Sequence, residues 1–386
     1  MALDIALTVG SFDQRGGIER VTVDMAHAYA RLGHRVTVYA TSWDPRYAER
    51  FHFVRLHAPH RPAWLRTAFL PLSASARLAR HDIIHVQGTS AWQGDLLTFH
   101  SVHAAWCEQS IQSDGALSVH GLAKRLHPFH RLTIAMEKRQ VKTWQGLLHA
   151  CSGEVAEELA HHYQAPSGRV FAQPWGVDTT LFRPDPEARA RQRRAWGVPE
   201  DTPVLLLAAN EFARKGLATI LEALPAVQPH QPWLLVAGRD DPEPYRARIQ
   251  ALGLDARVRF LGSVAPETLY PAADAFVMPS SYEGWGLVVA EALACGVPVL
   301  ASRFPASTAL IQPAQNGFLL NSPRDATELA GRLNTLLTPD CLAHLRDQAR
   351  ASVMHLDWLR VGERLVELGQ RGAQLRKAGG RMMSQP

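Results

Sequence analysis

Short apolar runs alternate along the chain with stretches whose apolar residues recur every three or four positions. Residues 3–9 are mostly apolar and predict a first buried strand. Residues 10–17 form a loop with two adjacent glycines. Ile18, Val21, Met25, Ala28, Tyr29 and Leu32 then fall at helical spacing, and Gly33 closes that helix. A strand at 36–39 completes a βαβ opening. Further strands are predicted at 82–86 and 96–100, a short strand and turn at 146–152, and a helix within 124–142 after Pro128. A second α/β series starts at 204–209, continues through a helix reaching Leu224, and adds strands from 233, at 258–262, 276–278, 297–301 and near 317–320. From about Asp325 the pattern is helical. The class is therefore α/β: two Rossmann-like doubly wound domains, 1–174 and 175–355, and a closing helix, 356–386. Richness in Pro and Arg through Pro199 predicts a linker between them. Residues 379–386 are expected to fray.

Residues 283–298 hold the densest chemistry. Glu283 is followed by Gly284, Trp285 and Gly286, so the backbone can turn sharply there and approach a ligand closely. Residues 287–295 contain no Pro or Gly and can form a helix; Gly296 stands where a left-handed cap is expected. The unit reads strand, glycine loop, helix. In an open α/β sheet such a loop lies at the carboxyl end of the strands, where ligands bind, and the helix start offers N–H groups to an anion. Glu283 in the loop and Glu291, one turn beyond Leu287, are both acceptors for sugar hydroxyls. The plain alternative is that Glu283 complements the helix dipole and Glu291 is solvated.

This stretch resembles the signature of the retaining GT-B glycosyltransferases of group 1, family 4: Glu, seven residues, Glu, within a conserved glycine and alanine frame. Trp285 replaces the usual Phe. The resemblance implies that Glu283 contacts the donor sugar, that Glu291 contacts the nucleotide ribose, and that Gly284, Trp285, Gly286 and Leu287 line the donor. It continues elsewhere. Gly16 and Gly17 with Glu19 match a donor-side glycine loop, which places backbone N–H groups near phosphate or sugar. His100 matches a histidine beside the donor sugar; His103 is the alternative. Arg214 and Lys215, followed by Gly216, resemble the lipopolysaccharide-core glucosyltransferase variant of a diphosphate-holding element. The physical need is direct: a departing nucleoside diphosphate gathers negative charge, and fixed cations stabilise it. Trp175 stands where the family has Asn, and residues 303–307 replace its glycine pair and Glu. Trp358 to Val361 resembles a closing helix that crosses back to the first domain. The fold implied is GT-B, with two domains facing across a cleft.

Composition sets outer limits. The 386 residues are 46% hydrophobic and 20% charged, ordinary for globular domains, and no run of eighteen apolar residues predicts a membrane span. The start lacks a basic region ahead of an apolar one, so no signal peptide is expected. Four scattered cysteines form no CxxC pair, and no carboxylate pair reads as a cation site, so no metal is expected; a reducing cytoplasm fits. The net charge of +5 favours anionic partners. Lys124, Arg125, Arg131, Lys138, Arg139 and Lys142 are concentrated in one segment opposed only by Glu137, with Phe129 and Trp144 nearby. That segment is either a solvated helix face or a patch for an anionic membrane. The expected partners are a nucleotide-diphosphate sugar and a glycan or lipid-linked cell-envelope acceptor, with no further cofactor and no nucleic acid. The expected site is catalytic His100, Arg214, Lys215 and Glu283. Two rivals remain at this stage: a GT-B nucleotide-sugar epimerase, and a non-catalytic sugar-nucleotide-binding protein.

Overall fold

A computed structural model describes residues 1–59, 61–114, 126–281, 283 and 285–382. The chain divides into two compact units, residues 1–176 with 358–386 and residues 177–357. These boundaries lie two residues beyond those expected at 174/175 and 355/356. Trp175 explains the first shift: it is fully buried against His100 and His149 of the first unit.

In the first unit the elements run β1 (Asp4–Thr8), β2 (Ser11–Phe12), α1 (Gly17–Arg31), β3 (Arg35–Ala40), β4 (Ser42–Trp43), β5 (His52–Arg55) and α2 (Ala63–Arg77). They continue with β6 (Ile83–Gln87), β7 (Leu96–Phe99), α3 (His103–Asp114), α4 (Pro128–Thr143), β8 (Leu147–Ala150), α5 (Gly153–Tyr163) and β9 (Val170–Ala172). Seven strands form one parallel sheet in the order β5-β3-β1-β6-β7-β8-β9. The order turns back at β1, which has β3 on one side and β6 on the other; this is the point where doubly wound sheets bind ligands. Apolar strands such as Leu96–Phe99 are buried on both faces, as parallel strands covered by helices must be. The short strands β2 and β4 stand apart from this sheet and pair with each other.

The second unit begins with α6 (Pro186–Ala195), then β10 (Val204–Ala208), α7 (Leu217–Ala223), β11 (Trp233–Ala237), α8 (Glu243–Ala251), β12 (Val258–Gly262) and α9 (Pro266–Leu269). It continues with β13 (Ala275–Met278), α10 (Leu287–Ala294), β14 (Val299–Ser302), α11 (Pro305–Leu310), β15 (Gly317–Leu320), α12 (Ala326–Leu336) and α13 (Pro339–Ala351). Its six-stranded parallel sheet has the order β12-β11-β10-β13-β14-β15. The expected linker is corrected here: α6 is a packed helix. Asp185 caps it by accepting from the Ala188 N–H at 2.8 Å. Its Arg193, only 3% exposed, and Arg189 both donate to the buried Asp274 carboxylate, as does Arg346 of α13. Arginines that read as linker composition are thus fixed by one buried acid.

The last helix, α14 (Trp358–Met382), belongs to the first unit and lies against α1 and β6. A side chain at Gly372 would overlap the Asp95 carbonyl, and one at Gly369 would crowd Ile83, so the helix rides close to the sheet. Arg376 then donates to Asp95 Oδ1 at 2.6 Å, while Oδ2 accepts from the Ile84 N–H at 2.7 Å. Residues 379–382, expected to fray, are helical; 383–386 lie outside the described residues.

Candidate donor site and its relatives

At the carboxyl end of β10 the chain turns through residues 209–216 before α7. Gly216 has φ +80°, and a Cβ there would overlap the Pro279 carbonyl at the end of β13. Only glycine allows this turn to sit so close to the neighbouring strand. The two strand ends are also joined by hydrogen bonds. The Ser281 N–H donates to the Arg214 carbonyl at 2.9 Å, and the Ser280 and Ser281 hydroxyls reach the same oxygen at 3.3 and 3.2 Å. Ser302, at the end of β14, donates to the Ser280 carbonyl at 2.5 Å. Three adjacent strand ends are thereby held in register.

This brings Arg214 and Lys215 to Glu283. The Lys215 Nζ contacts Glu283 Oε2, and Arg214 Nη1 lies 3.6 Å from that oxygen. Arg214 also pairs with Glu211 at 2.5 Å. Lys215 is 8% exposed. Burial, and then the adjacent Arg214 charge, push its amine down to about 7, while Glu211 opposes the shift. A buried ammonium poised near neutrality, with an acid as its counter-ion, can bind an incoming anion strongly.

Gly286, φ +85°, is the N-cap of α10 and carries no side chain between Glu283 and Phe304. Trp285 is buried, and Leu287 begins the helix. Gly284 lies outside the described residues. Within Leu287–Ala294, Glu291 is the only charged residue, and it is 2% exposed. The solvated reading of Glu291 therefore fails. Its Oε2 accepts from the buried Tyr270 hydroxyl at 2.6 Å. Tyr270, which the sequence pattern does not single out, opens a 3-10 turn, Tyr270–Ala272, directly after α9.

Two families match this architecture. Glycosyl transferases group 1 covers residues 188–352, and Glycosyltransferase Family 4 covers residues 15–181. The chain carries a glycosyltransferase family 4 domain followed by a group 1 glycosyl transferase domain. Lipopolysaccharide glucosyltransferase WaaG of Escherichia coli is 27% identical over 84% of this chain and 86% of its own length. Among solved structures, sucrose-phosphate synthase from Thermosynechococcus elongatus aligns over 97% of this chain and 99% of that one, with a TM-score of 0.77 and 25% identity. Anabaena Alr3699/HepE in complex with UDP-glucose aligns over 95% and 98%, with a TM-score of 0.71 and 20% identity. The fold is GT-B. None of these matches supports the epimerase alternative.

In the first unit of the transferase, Gly16 is the N-cap of α1 and Gly17 its first residue. The Glu19 carboxylate folds back over Gly16 and would meet any side chain placed there. His100 follows the end of β7. Its Nε2 bonds Gln87 Oε1 at 2.9 Å, and its ring stacks on Trp175 at 5.0 Å. Trp175, standing where the family has Asn, thus supplies a ring face rather than an amide. Burial, then His149, lowers the His100 pKa to about 3, so the ring is neutral at physiological pH. His103 bonds His130 instead, Nε2 to Nδ1 at 2.9 Å, and burial and His130 lower it to about 4.

Beneath His100 runs a buried chain of hydrogen bonds. His149 Nε2 faces the Gln173 carbonyl at 2.8 Å, so Nε2 must carry the proton. Nδ1 then accepts from the Thr98 hydroxyl at 2.9 Å. Thr98 accepts from His85 Nε2 at 2.7 Å, and His85 Nδ1 accepts from the Tyr29 hydroxyl at 2.9 Å. Every donor has one acceptor, which suits neutral rings in a dry sheet.

In the basic segment, Lys124 and Arg125 lie outside the described residues. Arg131, Lys138, Arg139 and Lys142 are exposed on α4. Glu137, expected to oppose them, is buried and accepts from the Tyr163 hydroxyl at 2.7 Å; burial raises its pKa to about 7. Trp144 is buried, so it offers no anchor to a surface.

Proposed function

We propose that the transferase moves a sugar from a nucleoside-diphosphate sugar to a glycan or lipid-linked cell-envelope acceptor, with retention at the anomeric carbon. The contact of Lys215 and Arg214 with Glu283, at the carboxyl ends of a parallel sheet, carries the reading. Lys215 and Arg214 bind the diphosphate. As the bond from the anomeric carbon to the diphosphate oxygen breaks, the electron pair stays with the diphosphate, and these cations stabilise it. The acceptor hydroxyl forms the new bond and its proton passes to the departing phosphate oxygen. Glu283 holds the sugar hydroxyls, and Glu291, oriented by Tyr270, holds the ribose. Gly284, Trp285, Gly286 and Leu287 shape the donor loop. In the first unit we assign Gly16, Gly17 and His100 to the sugar side, with His100 a neutral hydrogen-bonding group. The WaaG likeness supports an envelope acceptor, and the UDP-glucose complex of HepE supports a nucleotide-sugar donor of that kind.

The diphosphate needs no divalent ion here, because the cations occupy its place. The enzyme works in the cytoplasm, and the exposed face of α4 gives it a reversible hold on an anionic membrane, at about 1 kcal/mol for each basic side chain. No helix among the described residues is long and apolar enough to cross a membrane. Turnover of a nucleotide-sugar panel, with an anomeric assignment of the product by NMR and with EDTA in one arm, tests the proposal. Transfer with retained configuration in EDTA is expected. An inverted product, or activity abolished by EDTA and restored by magnesium or manganese, contradicts it.

A further inference from the structure

The first unit brings three metal-ligating side chains together, although cysteine spacing alone shows no metal pattern. His103 opens α3 and Cys107 follows one turn later, so both project from one face. His130 enters from the first turn of α4. One ligand atom from each of the three lies within 4.8 Å of the others. A tetrahedral zinc ion with nitrogen at about 2.0–2.1 Å and sulfur at about 2.3 Å spreads such atoms roughly 3.3–3.6 Å apart. Small side-chain rotations therefore suffice. The surroundings favour a dry, fixed site. Cys107 is buried and both imidazoles are half-buried. Trp106 stacks on His103 at 5.4 Å, and Phe129 meets its edge at 5.7 Å. The start of α3 is held independently of any ion: Glu137 accepts from the His103 N–H at 3.0 Å, and the Tyr163 hydroxyl accepts from the Ala104 N–H at 3.3 Å.

We propose that His103, Cys107 and His130 form a binding site for a zinc-type divalent ion, with the fourth position left to water or another ligand. Two imidazoles and a thiolate are a borderline-soft set that suits Zn²⁺ and Co²⁺ and disfavours Mg²⁺. Binding replaces the hydrogen bond between the two histidines and releases the thiol proton to solvent. The ion cross-links α3 to α4. By joining α3 to α4, it stabilises the first unit.

The test uses the full chain, stripped with EDTA, dialysed and titrated with Co²⁺ and then Zn²⁺. One equivalent should bind, with the intense visible bands of tetrahedral Co²⁺ and a thiolate-to-metal charge-transfer band. Zn²⁺ should raise the melting temperature, because it binds the folded state. Cys107→Ser should abolish the charge-transfer band. Cys107→Ser and His130→Gln should each weaken binding more than about a hundredfold, since even outer-shell partners are worth 10–100-fold. Cys341→Ser should change nothing. His130→Gln gives the same reading if Cys107→Ser does not fold. Absence of a bound equivalent, or binding that persists in both variants, overturns the site and leaves a plain pair of hydrogen-bonded histidines. Nucleotide-sugar turnover is measured in parallel, so failure of the metal site is distinguishable from failure of the transferase reading.

Discussion

Asp274→Ala should weaken the second unit far more than the loss of an ordinary surface pair. Asp274 Oδ1 accepts from Arg189 at 2.6 Å and from Arg346 at 2.5 Å. Its Oδ2 accepts from Arg193 at 2.5 Å and from the Val204 N–H at 2.7 Å. Asp274 is buried, and so is Arg193. Removing the acid leaves a buried guanidinium without its counter-charge, although Arg193 keeps carbonyl partners at Ala272, Glu200 and Thr202. Breaking a buried pair in this way costs about 3–5 kcal/mol. For a unit of this size each kcal/mol moves the melting temperature by roughly 2–4 °C, so the drop should be about 6–20 °C. Calorimetry of the whole chain should show this loss in the transition of one unit, identified by hydrogen exchange in β10 and β13. Arg248→Ala, which breaks the pair with Glu222 at 2.9 Å on the surface, is the comparison and should cost about 0–1 kcal/mol. If Asp274→Ala costs no more than Arg248→Ala, the buried cluster does not hold α6 and α13 to the sheet.

Three further outcomes are expected. Because Lys215 titrates near 7, kcat/KM should fall as pH rises through that region and the amine loses its proton; bound diphosphate favours the charged form, so kcat should hold to higher pH. In Lys215→Arg the alkaline limb of whatever activity remains should vanish, and an unchanged limb would assign the titration to another group. Thr98→Val should cost about 1–3 kcal/mol in urea unfolding, since it leaves His85 and His149 without their shared partner; a loss near zero would mean that water replaces the hydroxyl. Glu291→Ala should weaken binding of free nucleoside diphosphate by about 1–3 kcal/mol, while Glu283→Ala mainly impairs use of the sugar. Equal losses by calorimetry would remove that distinction.

Much of the fold was legible because parallel strands buried on both faces write themselves as apolar runs. Residues 204–207 and 276–278 are of this kind, and glycine at 216 and 296 marks positions where the backbone takes positive φ. Glu283 and Glu291 stood out through the resemblance of their stretch to a family signature. What the sequence could not display was three-dimensional pairing. Arg193 and Arg189 looked like linker composition because their partner, Asp274, is some eighty positions away. Glu137 looked like a surface counter-charge because its burial depends on Tyr163 of another helix. Tyr270 carries no signal of its own; only the fold shows that its hydroxyl meets Glu291. His103, Cys107 and His130 converge from two helices, and no short spacing announces them.

The central claim is that Lys215 stabilises the departing nucleoside diphosphate. The most direct measurement is the single-turnover rate of sugar transfer in Lys215→Ala at saturating donor. A fall of about a hundredfold or more is expected, the scale for losing one fixed group that meets charge as it develops, in a variant whose melting temperature shows it folded. A correctly folded Lys215→Ala enzyme that transfers sugar at the full rate would contradict it.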